Sequence, residues 1–368
     1  NLSSELVYTN LLNCIDLSGV PLRSVERGIR DPLIAAGGHC TYNPEPLADF
    51  VDFFVLGDGE EVVSELTYVI HKWKTSESTH SDRGFLLREL SKIEGVYVPQ
   101  MYNVSRDQNG FQILEPKYGD VPKLVEKRTI TSLEDWPYPK NQLVPITEVV
   151  HDRLNVEVFR GCTRGCRFCQ AGMITRPVRE RSVDQVRTMV SEGLRRTGYD
   201  QVALTSLSTA DYSHIEKAVA AVGDDPLSCG QTGVSLPSLR VDAFTVGIAA
   251  TLQGGKRSGL TFAPEAGTWR MRQVINKLIT EEDLYGAVES AFSQGWRRVK
   301  LYFLIGLPTE TDEDTLGIAD LAKNCVEIGK KYTKQASVTV SVGGFVPKPF
   351  TPFQWFGQNT IEELQRKI

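Results

Sequence analysis

Short apolar runs alternate along the chain with segments in which apolar residues recur at helical spacing. From residue 155 onward, six apolar runs are typical of short buried strands: NVEVF, QVALTS, GVSLPSL, SGLTFA, VKLYFLIG and SVTVSVGGF. Helices are predicted between them over residues 182–196, 212–222, 244–252, 280–294 and 313–328. Strands that are apolar almost throughout and alternate with helices indicate an α/β fold with a parallel sheet covered by helices.

The first part of the chain has a pattern of its own. An amphipathic helix through VYTNLLNCIDLSG precedes two apolar runs that end in AGG and LGDGE. These runs predict parallel strands with glycine turns, where backbone can approach a ligand closely. We therefore predict a partial Rossmann-like domain over residues 1–74, a connecting segment with small hairpins over 75–150, a domain of alternating strands and helices over 151–356, and the start of a C-terminal helix over 357–368.

Composition and charge narrow the class of protein. The 368 residues are 41% hydrophobic and 24% charged, which is ordinary for a globular chain able to bury a substantial core. No apolar run approaches a membrane span, and the chain does not open like a signal peptide. The net charge of -5 argues against bulk attraction to polyanions. Seven unevenly spaced cysteines do not resemble a disulfide framework, so a reducing compartment is expected: the cytoplasm, or an organelle matrix or stroma.

Three of the cysteines lie within eight residues. Cys162, Cys166 and Cys169 form C-x3-C-x2-C in RGCTRGCRFCQAG. Structural zinc closes its tetrahedron with four protein ligands, and no downstream C-x2-C or H-x3-H supplies the fourth, so zinc is the weaker interpretation. An iron-sulfur cluster held by three thiolates leaves one iron open to bind a substrate or cofactor. The spacing therefore favours a catalytic cluster.

Phe168, directly before the last cysteine, makes the motif more specific. The pattern C-x3-C-x-aromatic-C resembles that of the radical S-adenosylmethionine (radical SAM) enzymes, and GCTRGCRFCQAGM, RPVRERS, FAPEAGT and IGLPTETDED resemble one cobalamin-type family among them. The resemblance implies a partial TIM-like (β/α)6 barrel, a [4Fe-4S] cluster on the three cysteines, and reductive cleavage of S-adenosylmethionine to a 5'-deoxyadenosyl radical. It also implies that the chemistry lies at the carboxyl ends of the strands.

The same resemblance suggests which residues contact the cofactor. Ser206 and Ser208 in SLSTAD lie where enzymes of the superfamily bind the amino group of S-adenosylmethionine. The alternative is that this segment is a solvated loop that caps a helix. Arg240, near Ser235, is expected to pair with the carboxylate of S-adenosylmethionine or to form an ion pair with an acidic residue at the surface. Glu265 in FAPEAGT is expected to accept hydrogen bonds from the ribose hydroxyls of the cofactor. The alternative is a buried carboxylate with a structural role. The predicted cofactor-binding set is Phe168, Ser206, Ser208, Ser235, Arg240, Glu265, Ile305 and Gly306, the last two laying backbone against the adenine.

The N-terminal segment resembles the second half of a cobalamin-binding domain. A complete domain of that kind needs strands before Leu6, so the chain is expected to begin inside it. D-x-H-x-x-G does not occur, and no histidine is predicted as a lower cobalt ligand. Cobalamin binding and a structural remnant of the domain both remain open.

The sequence leaves several alternatives open for the partners and the substrate. The basic residues around the cysteine loop indicate ion pairing within the barrel rim, an acidic electron donor such as flavodoxin or ferredoxin, or a phosphate backbone: Arg160, Arg164, Arg167, Arg176, Arg179 and Arg181. The layout resembles methylthiotransferases and methyltransferases, which implies modification, for example methylation, of an RNA or protein substrate. No second cysteine triplet supports sulfur insertion. The alternative is a non-catalytic iron-sulfur binding or assembly factor that keeps the barrel as a scaffold.

Overall fold

The computed structural model describes residues 1–149, 151–223, 233–236, 241 and 260–368. It divides into two compact units, Asn1–Thr131 and Ser132–Ile368, which we call the N-terminal unit and the barrel unit. The predicted strand GVSLPSL lies only partly in the described ranges, and the helix predicted over residues 244–252 lies outside them. The predicted boundaries after residues 74, 150 and 356 stay predictions.

The N-terminal unit contains a small mixed sheet. Its helices are α1 (Tyr8–Leu17), α2 (Val62–Thr75) and α3 (Arg83–Leu90), and its strands are β1 (Ala35–Gly37), β2 (Phe53–Val55), β3 (Val96–Tyr97), β4 (Tyr102–Arg106) and β5 (Gln112–Pro116). Strands β1 and β2 pair in parallel, as the two apolar runs predict, while β3 pairs with β2 in antiparallel orientation. Strands β4 and β5 form a separate hairpin.

The glycine turns of this unit are packed against its own backbone. A side chain at Gly57 would meet the Arg128 carbonyl oxygen at 2.0 Å, and one at Gly38 would meet the Leu2 carbonyl oxygen at 2.7 Å. Both glycines have positive φ, which disfavours larger residues. At Gly38 and Gly57 the close backbone approach expected from the sequence is therefore made by the protein itself, whereas nothing lies within 4 Å of a side chain placed at Gly37 or Gly59.

The barrel unit contains six parallel strands in chain order. They are β6 (Leu154–Glu157), β9 (Gln201–Thr205), β10 (Gly233–Ser235), β11 (Leu260–Glu265), β12 (Arg298–Ile305) and β13 (Ser337–Gly344), and a short antiparallel pair, β7 (Phe159–Arg160) and β8 (Arg179–Glu180), follows β6. Among the described residues, β6, β9 and β10 form one parallel sheet and β11, β12 and β13 another. This arrangement confirms the predicted α/β fold with a partial (β/α)6 barrel.

Helices of the barrel unit cover one face of these strands. The described helices are α4 (Gln170–Ile174), α5 (Val183–Thr197), α6 (Ile215–Gly223), α7 (Trp269–Val274), α8 (Glu281–Ser293), α9 (Asp312–Lys330) and α10 (Ile361–Lys367). Helix α5 begins where the sequence predicts, because the Ser182 side chain accepts a hydrogen bond from the Gln185 amide. Alternate residues of β12, such as Leu301 and Phe303, share one buried core with α8 and α9, so this core fixes the strands to their helices.

Asp52 in the N-terminal unit provides a test of how that unit is held together. Its carboxylate pairs with Arg27 at 2.8 Å, and both side chains are fully buried. Replacing Asp52 by Ala leaves a buried guanidinium without its carboxylate, so we expect the free energy of unfolding to fall by about 3–5 kcal/mol. The exposed pair between Arg23 and Asp49 is the matched control, and Asp49→Ala should cost less than about 1 kcal/mol.

Urea unfolding followed by circular dichroism measures both variants. Equal losses of stability in Asp52→Ala and Asp49→Ala would contradict this account of the buried pair.

Candidate active site

The cysteine loop, residues 161–169, leaves β7 and enters α4. Gly161 has a φ of 97°, and a side chain there would lie 2.5 Å from the Pro177 carbonyl oxygen. Only glycine tolerates this combination of positive φ and close backbone contact. The glycine thus turns the chain from the strand into the loop that carries the thiols.

Two distant segments hold the loop in place by hydrogen bonds to its main chain. The Arg167 amide donates to the Ile275 carbonyl at 2.9 Å, and the Asn276 side chain donates to the Gly165 carbonyl at 3.0 Å. From the C-terminal side, the Phe353 amide donates to the Arg167 carbonyl at 3.3 Å. The loop therefore has little regular structure of its own and takes its shape from its neighbours.

Phe168 anchors the loop through apolar packing. It lies against a small buried cluster made of Ala266, Met271, Ile275, Leu307, Phe345 and Phe353, which Leu304 of β12 also contacts. The aromatic stretch FVPKPFTPF contributes Phe345 and Phe353 to this cluster. The ring that the motif places before the last cysteine thus packs into the protein. Its predicted contact with a cofactor stays a proposal.

The three thiols of the motif form no disulfide and are partly exposed. Gly172, in the first turn of α4, leaves space beside two of them: a side chain there would lie 3.6 Å from the Cys169 sulfur and 3.9 Å from Cys162 Cβ. The Cys169 sulfur accepts the Gly172 amide at 3.4 Å. Among the described residues, no three Cys, His, Asp or Glu side chains converge on a single metal position.

Electrostatics at Cys169 reflect its neighbours. Burial raises the pKa of the Cys169 thiol above its usual value, and the Cys162 thiol raises it further. The Gly172 amide and the Lys277 ammonium act in the opposite direction, since both stabilise the thiolate. A bound metal centre would deprotonate the Cys169 thiol, so the thiolate would then be the favoured form.

Glu265 lies beside this sulfur, paired with a lysine. Its carboxylate contacts Lys277 Nζ at 2.9 Å, and both side chains are mostly buried. Glu265 ends β11 with a φ of 69°, an unfavourable conformation for a residue with a side chain. The sequence predicts Glu265 as a site residue but not Lys277, because a lysine twelve residues away gives no periodic or motif signal.

Ser206 and Ser208 follow β9, as the sequence predicts, and bond within their own loop. The Ser206 hydroxyl donates to Thr209 at 3.1 Å, and the Ser208 hydroxyl donates to Asp211 at 2.6 Å. The Asp211 carboxylate also accepts hydrogen bonds from two guanidinium nitrogens of Arg164, in the cysteine loop. Ser208 and Asp211 line a cleft of about 220 Å³ together with Cys162.

Ser235 and Arg240 differ in what the structure describes. The Ser235 hydroxyl accepts a hydrogen bond from Arg153 at 3.1 Å, so it already has a partner within the protein. Arg240 lies outside the described residues. Their predicted cofactor contacts stay predictions.

Ile305 and Gly306 end β12. Ile305 is buried, and its carbonyl accepts the Phe345 amide at 2.8 Å. The Gly306 amide donates to Glu310 at 2.7 Å, and a side chain at Gly306 would meet the Asn359 side chain at 2.9 Å. The predicted contact of this turn with an adenine remains a proposal.

The arginines near the cysteines mostly have structural partners. Arg160 pairs with Glu157 at 2.9 Å, while Arg179 and Arg181 are buried and donate to backbone carbonyls. Arg164, Arg167 and Arg176 remain exposed on or beside the loop. These three also have partners within the protein: Arg164 pairs with Asp211, Arg167 donates to the Val274 carbonyl at 2.5 Å, and Arg176 donates to the Cys162 carbonyl at 3.3 Å. Ion pairing and carbonyl contacts therefore involve the whole basic cluster, of which three members stay accessible at the surface.

Comparisons with known proteins agree with this geometry. Residues 1–99 match a family model described as radical SAM proteins, N-terminal, and residues 156–322 match one described as the radical SAM superfamily. The second match contains all three cysteines of the motif. The chain belongs to the radical SAM superfamily.

Two curated relatives extend over most of the chain. An uncharacterized protein of Methanocaldococcus jannaschii is 30% identical over 90% of this chain and 64% of its own length. An uncharacterized methyltransferase of Pyrococcus horikoshii is 25% identical over 79% of this chain and 57% of its own length. The chain therefore spans less than two thirds of either relative.

Solved structures share the fold at low sequence identity. The cobalamin-dependent S-adenosylmethionine radical enzyme OxsB matches 100% of this chain and 52% of its own, with a TM-score of 0.60 and 14% identity. The radical S-adenosylmethionine methyltransferase TsrM from Kitasatospora setae, with cobalamin and a [4Fe-4S] cluster bound, matches 88% of this chain and 58% of its own, with a TM-score of 0.51 and 16% identity.

Membership in the superfamily implies a [4Fe-4S] cluster and S-adenosylmethionine as cofactors. The residues present fit this cluster. Three thiols project from one loop, Gly172 leaves room beside two of them, and Lys277 supplies positive charge near Cys169. Thiolates are the usual ligands of such clusters.

Gly161 gives a test of the loop geometry. Gly161→Ala adds a side chain against the Pro177 carbonyl and costs about 1 kcal/mol for the left-handed backbone alone, so Cys162 should be displaced and less iron retained. Iron per chain after anaerobic reconstitution is the measurement.

Gly286→Ala is the matched control, because a side chain on this exposed residue of α8 meets nothing within 4 Å. It should keep the wild-type iron content. Equal iron content in the two variants would show that the Gly161 turn does not position the thiols.

Proposed function

We propose that this protein is a radical SAM enzyme whose Cys162, Cys166 and Cys169 hold a [4Fe-4S] cluster. The observation that supports the proposal is that Cys169 has Cys162, Glu265 and Lys277 as electrostatic neighbours, with the Glu265–Lys277 pair at the carboxyl end of β11. When bound, the cluster supplies an open iron for S-adenosylmethionine and the electron that cleaves it to methionine and a 5'-deoxyadenosyl radical. The other groups of the site bind and orient S-adenosylmethionine and exclude water.

Each proposed side chain has a role that its chemistry permits. Glu265 offers a second carboxylate oxygen for a ribose hydroxyl while Lys277 neutralises its charge. Ser206 and Ser208 line the neighbouring strand end and, with Asp211, present oxygen acceptors to an amino group. Phe168 and the cluster it packs against exclude water from one side of the loop.

Modification of an RNA or protein, for example by methylation, is the proposed reaction. Support comes from the methyltransferase names of the Pyrococcus horikoshii relative and of TsrM. Support for the alternative, a non-catalytic iron-sulfur factor, is lacking in these comparisons. A scaffold would not require a mostly buried Glu265 and Lys277 beside the thiols.

Cobalamin is the proposed cofactor of the N-terminal unit. The match of residues 1–99 to an N-terminal radical SAM family model and the cobalamin named for TsrM and OxsB support it. The parallel pair β1 and β2 ends in Gly37 and, shortly after β2, Gly59, where a side chain would meet no protein atom within 4 Å. Retention of hydroxocobalamin through gel filtration separates cobalamin binding from a structural remnant.

An acidic electron donor of the flavodoxin or ferredoxin kind is the proposed partner. The exposed arginines 164, 167 and 176 lie on or next to the cysteine loop, where an electron must arrive. Opposite charge speeds the encounter of two proteins and weakens with salt. No described helix is long and apolar enough to cross a membrane. The compartment stays a prediction.

Reductive cleavage tests the proposed activity. We expect the reconstituted full chain, given dithionite and S-adenosylmethionine under anaerobic conditions, to release 5'-deoxyadenosine, measured by liquid chromatography and mass spectrometry. Cys166→Ala should reduce the product to the level of a protein-free sample, because it removes a proposed cluster ligand.

Cys325→Ala is the matched control, since Cys325 is buried in the core with α9 and far from the motif in sequence. It should retain product formation. Product from Cys166→Ala at the level of Cys325→Ala would overturn the assignment of the triplet.

A further inference from the structure

The inner face of the sheet β11–β12–β13 carries an ammonium and a phenol that the cofactor site does not use. Val299, Leu301 and Phe303 of β12 pack in the core with α8 and α9. Side chains alternate between faces along a strand, so Lys300 and Tyr302 project from the face that these helices leave uncovered. In a partial barrel that face is the interior.

Lys300 and Tyr302 form one unit on this face. Lys300 Nζ donates to Tyr302 Oη at 2.9 Å and lies 4.5 Å from the centre of the Tyr302 ring. No carboxylate among the described residues pairs with this ammonium. One of its three donors is used by Tyr302, and the phenol O–H remains able to donate, so the pair offers three donors and a positive charge.

Hydroxyl groups flank the pair on both neighbouring strands. Thr339 of β13 and Thr261 of β11 lie in register with Lys300, and Ser341 lies in register with Tyr302. Residues in register on adjacent parallel strands point to the same face. Thr261, Thr339 and Tyr302 are exposed and Ser341 is partly exposed, so the interior here presents polar groups to open space.

The same face leads to the cysteine loop. Leu304 follows Tyr302 by two residues and packs against the apolar cluster that also holds Phe168. Gly343, in register with Leu304, continues the face on β13. At a rise of about 3.3 Å per residue, Tyr302 lies about 7 Å and Lys300 about 13 Å below Leu304 along the strand.

We propose that Lys300 and Tyr302 bind an oxyanionic group, a carboxylate or a phosphate, of the substrate and so hold it below the cysteine loop. The proposal rests on the function proposed above, because it assigns the substrate to the barrel interior. A single ammonium with a phenol and flanking hydroxyls suits one anionic group, whereas a polyanion is bound by several cations. Charge at this point selects the substrate and fixes its orientation.

Protection of Lys300 from chemical labelling tests the site without any turnover. The full chain is acetylated with limiting acetic anhydride in the presence of inorganic phosphate or succinate, and the rate at each lysine is read by peptide mass spectrometry. At an anion concentration about twice the dissociation constant, labelling of Lys300 should slow about threefold. The phosphate and succinate arms show which oxyanion the site prefers.

Lys330 is the internal control, because it is exposed on α9 and pairs with Glu327 outside the barrel interior. Its labelling should not change. Tyr302→Phe removes one donor and should weaken the protection of Lys300, with circular dichroism confirming that the variant is folded. Lys300 labelling that neither anion slows, or that slows no more than that of Lys330, would overturn the proposal.

Failure of this test is separable from failure of the proposed function. The labelling readout needs neither cluster nor S-adenosylmethionine. Unprotected Lys300 in a chain that releases 5'-deoxyadenosine refutes the anion site alone, and protected Lys300 in a chain that binds no iron refutes the radical chemistry alone.

Discussion

The seating of the cysteine loop on the carboxyl ends of β11–β13 is the constraint on which the site depends. Three thiols within eight residues cannot be arranged by regular secondary structure, so the loop must be shaped from outside. Bonds from Ile275, Asn276 and Phe353, and the packing of Phe168, supply that shape. The glycine at 161 permits the entry turn. Rigid support of this kind is what a preorganised metal site requires.

The two faces of the barrel strands differ in polarity and in what they contact. The outer face is apolar and joins the strands to α5, α6, α8 and α9 in one core. The inner face of β12 instead carries Lys300 and Tyr302, with hydroxyls on both sides. Because strand residues alternate, one sequence specifies both a core that fixes the barrel and a polar interior, where we propose that the substrate binds. The interior opens at the carboxyl ends of the strands, which is where chemistry is expected in such a barrel.

Sequence reasoning recovers the fold because its signals are local. Apolar runs identify β6, β9, β11, β12 and β13, and the cap at Ser182 locates the start of α5. The cysteine motif is equally local and is confirmed as part of a radical SAM domain. A family resemblance adds the partial barrel, which the periodicity alone leaves as a parallel sheet with helices.

The remaining features depend on contacts between distant segments, which leave no pattern in the chain. Lys277 meets Glu265 only because α7 folds back over the end of β11, and Asn276 reaches Gly165 across more than a hundred residues. Gly57 faces Arg128 rather than a ligand, although its turn looks like a binding turn in the sequence. Ser235 meets Arg153 for the same reason. The roles predicted for Ser206, Ser208, Ser235, Arg240, Ile305 and Gly306 stay proposals.

Electron paramagnetic resonance of the anaerobically reconstituted and reduced chain tests the central claim most directly. The account predicts a [4Fe-4S] signal that changes when S-adenosylmethionine is added, because the cofactor binds the iron that the three cysteines leave open. A signal that the cofactor does not alter, or a chain that binds zinc and forms no cluster, would contradict it.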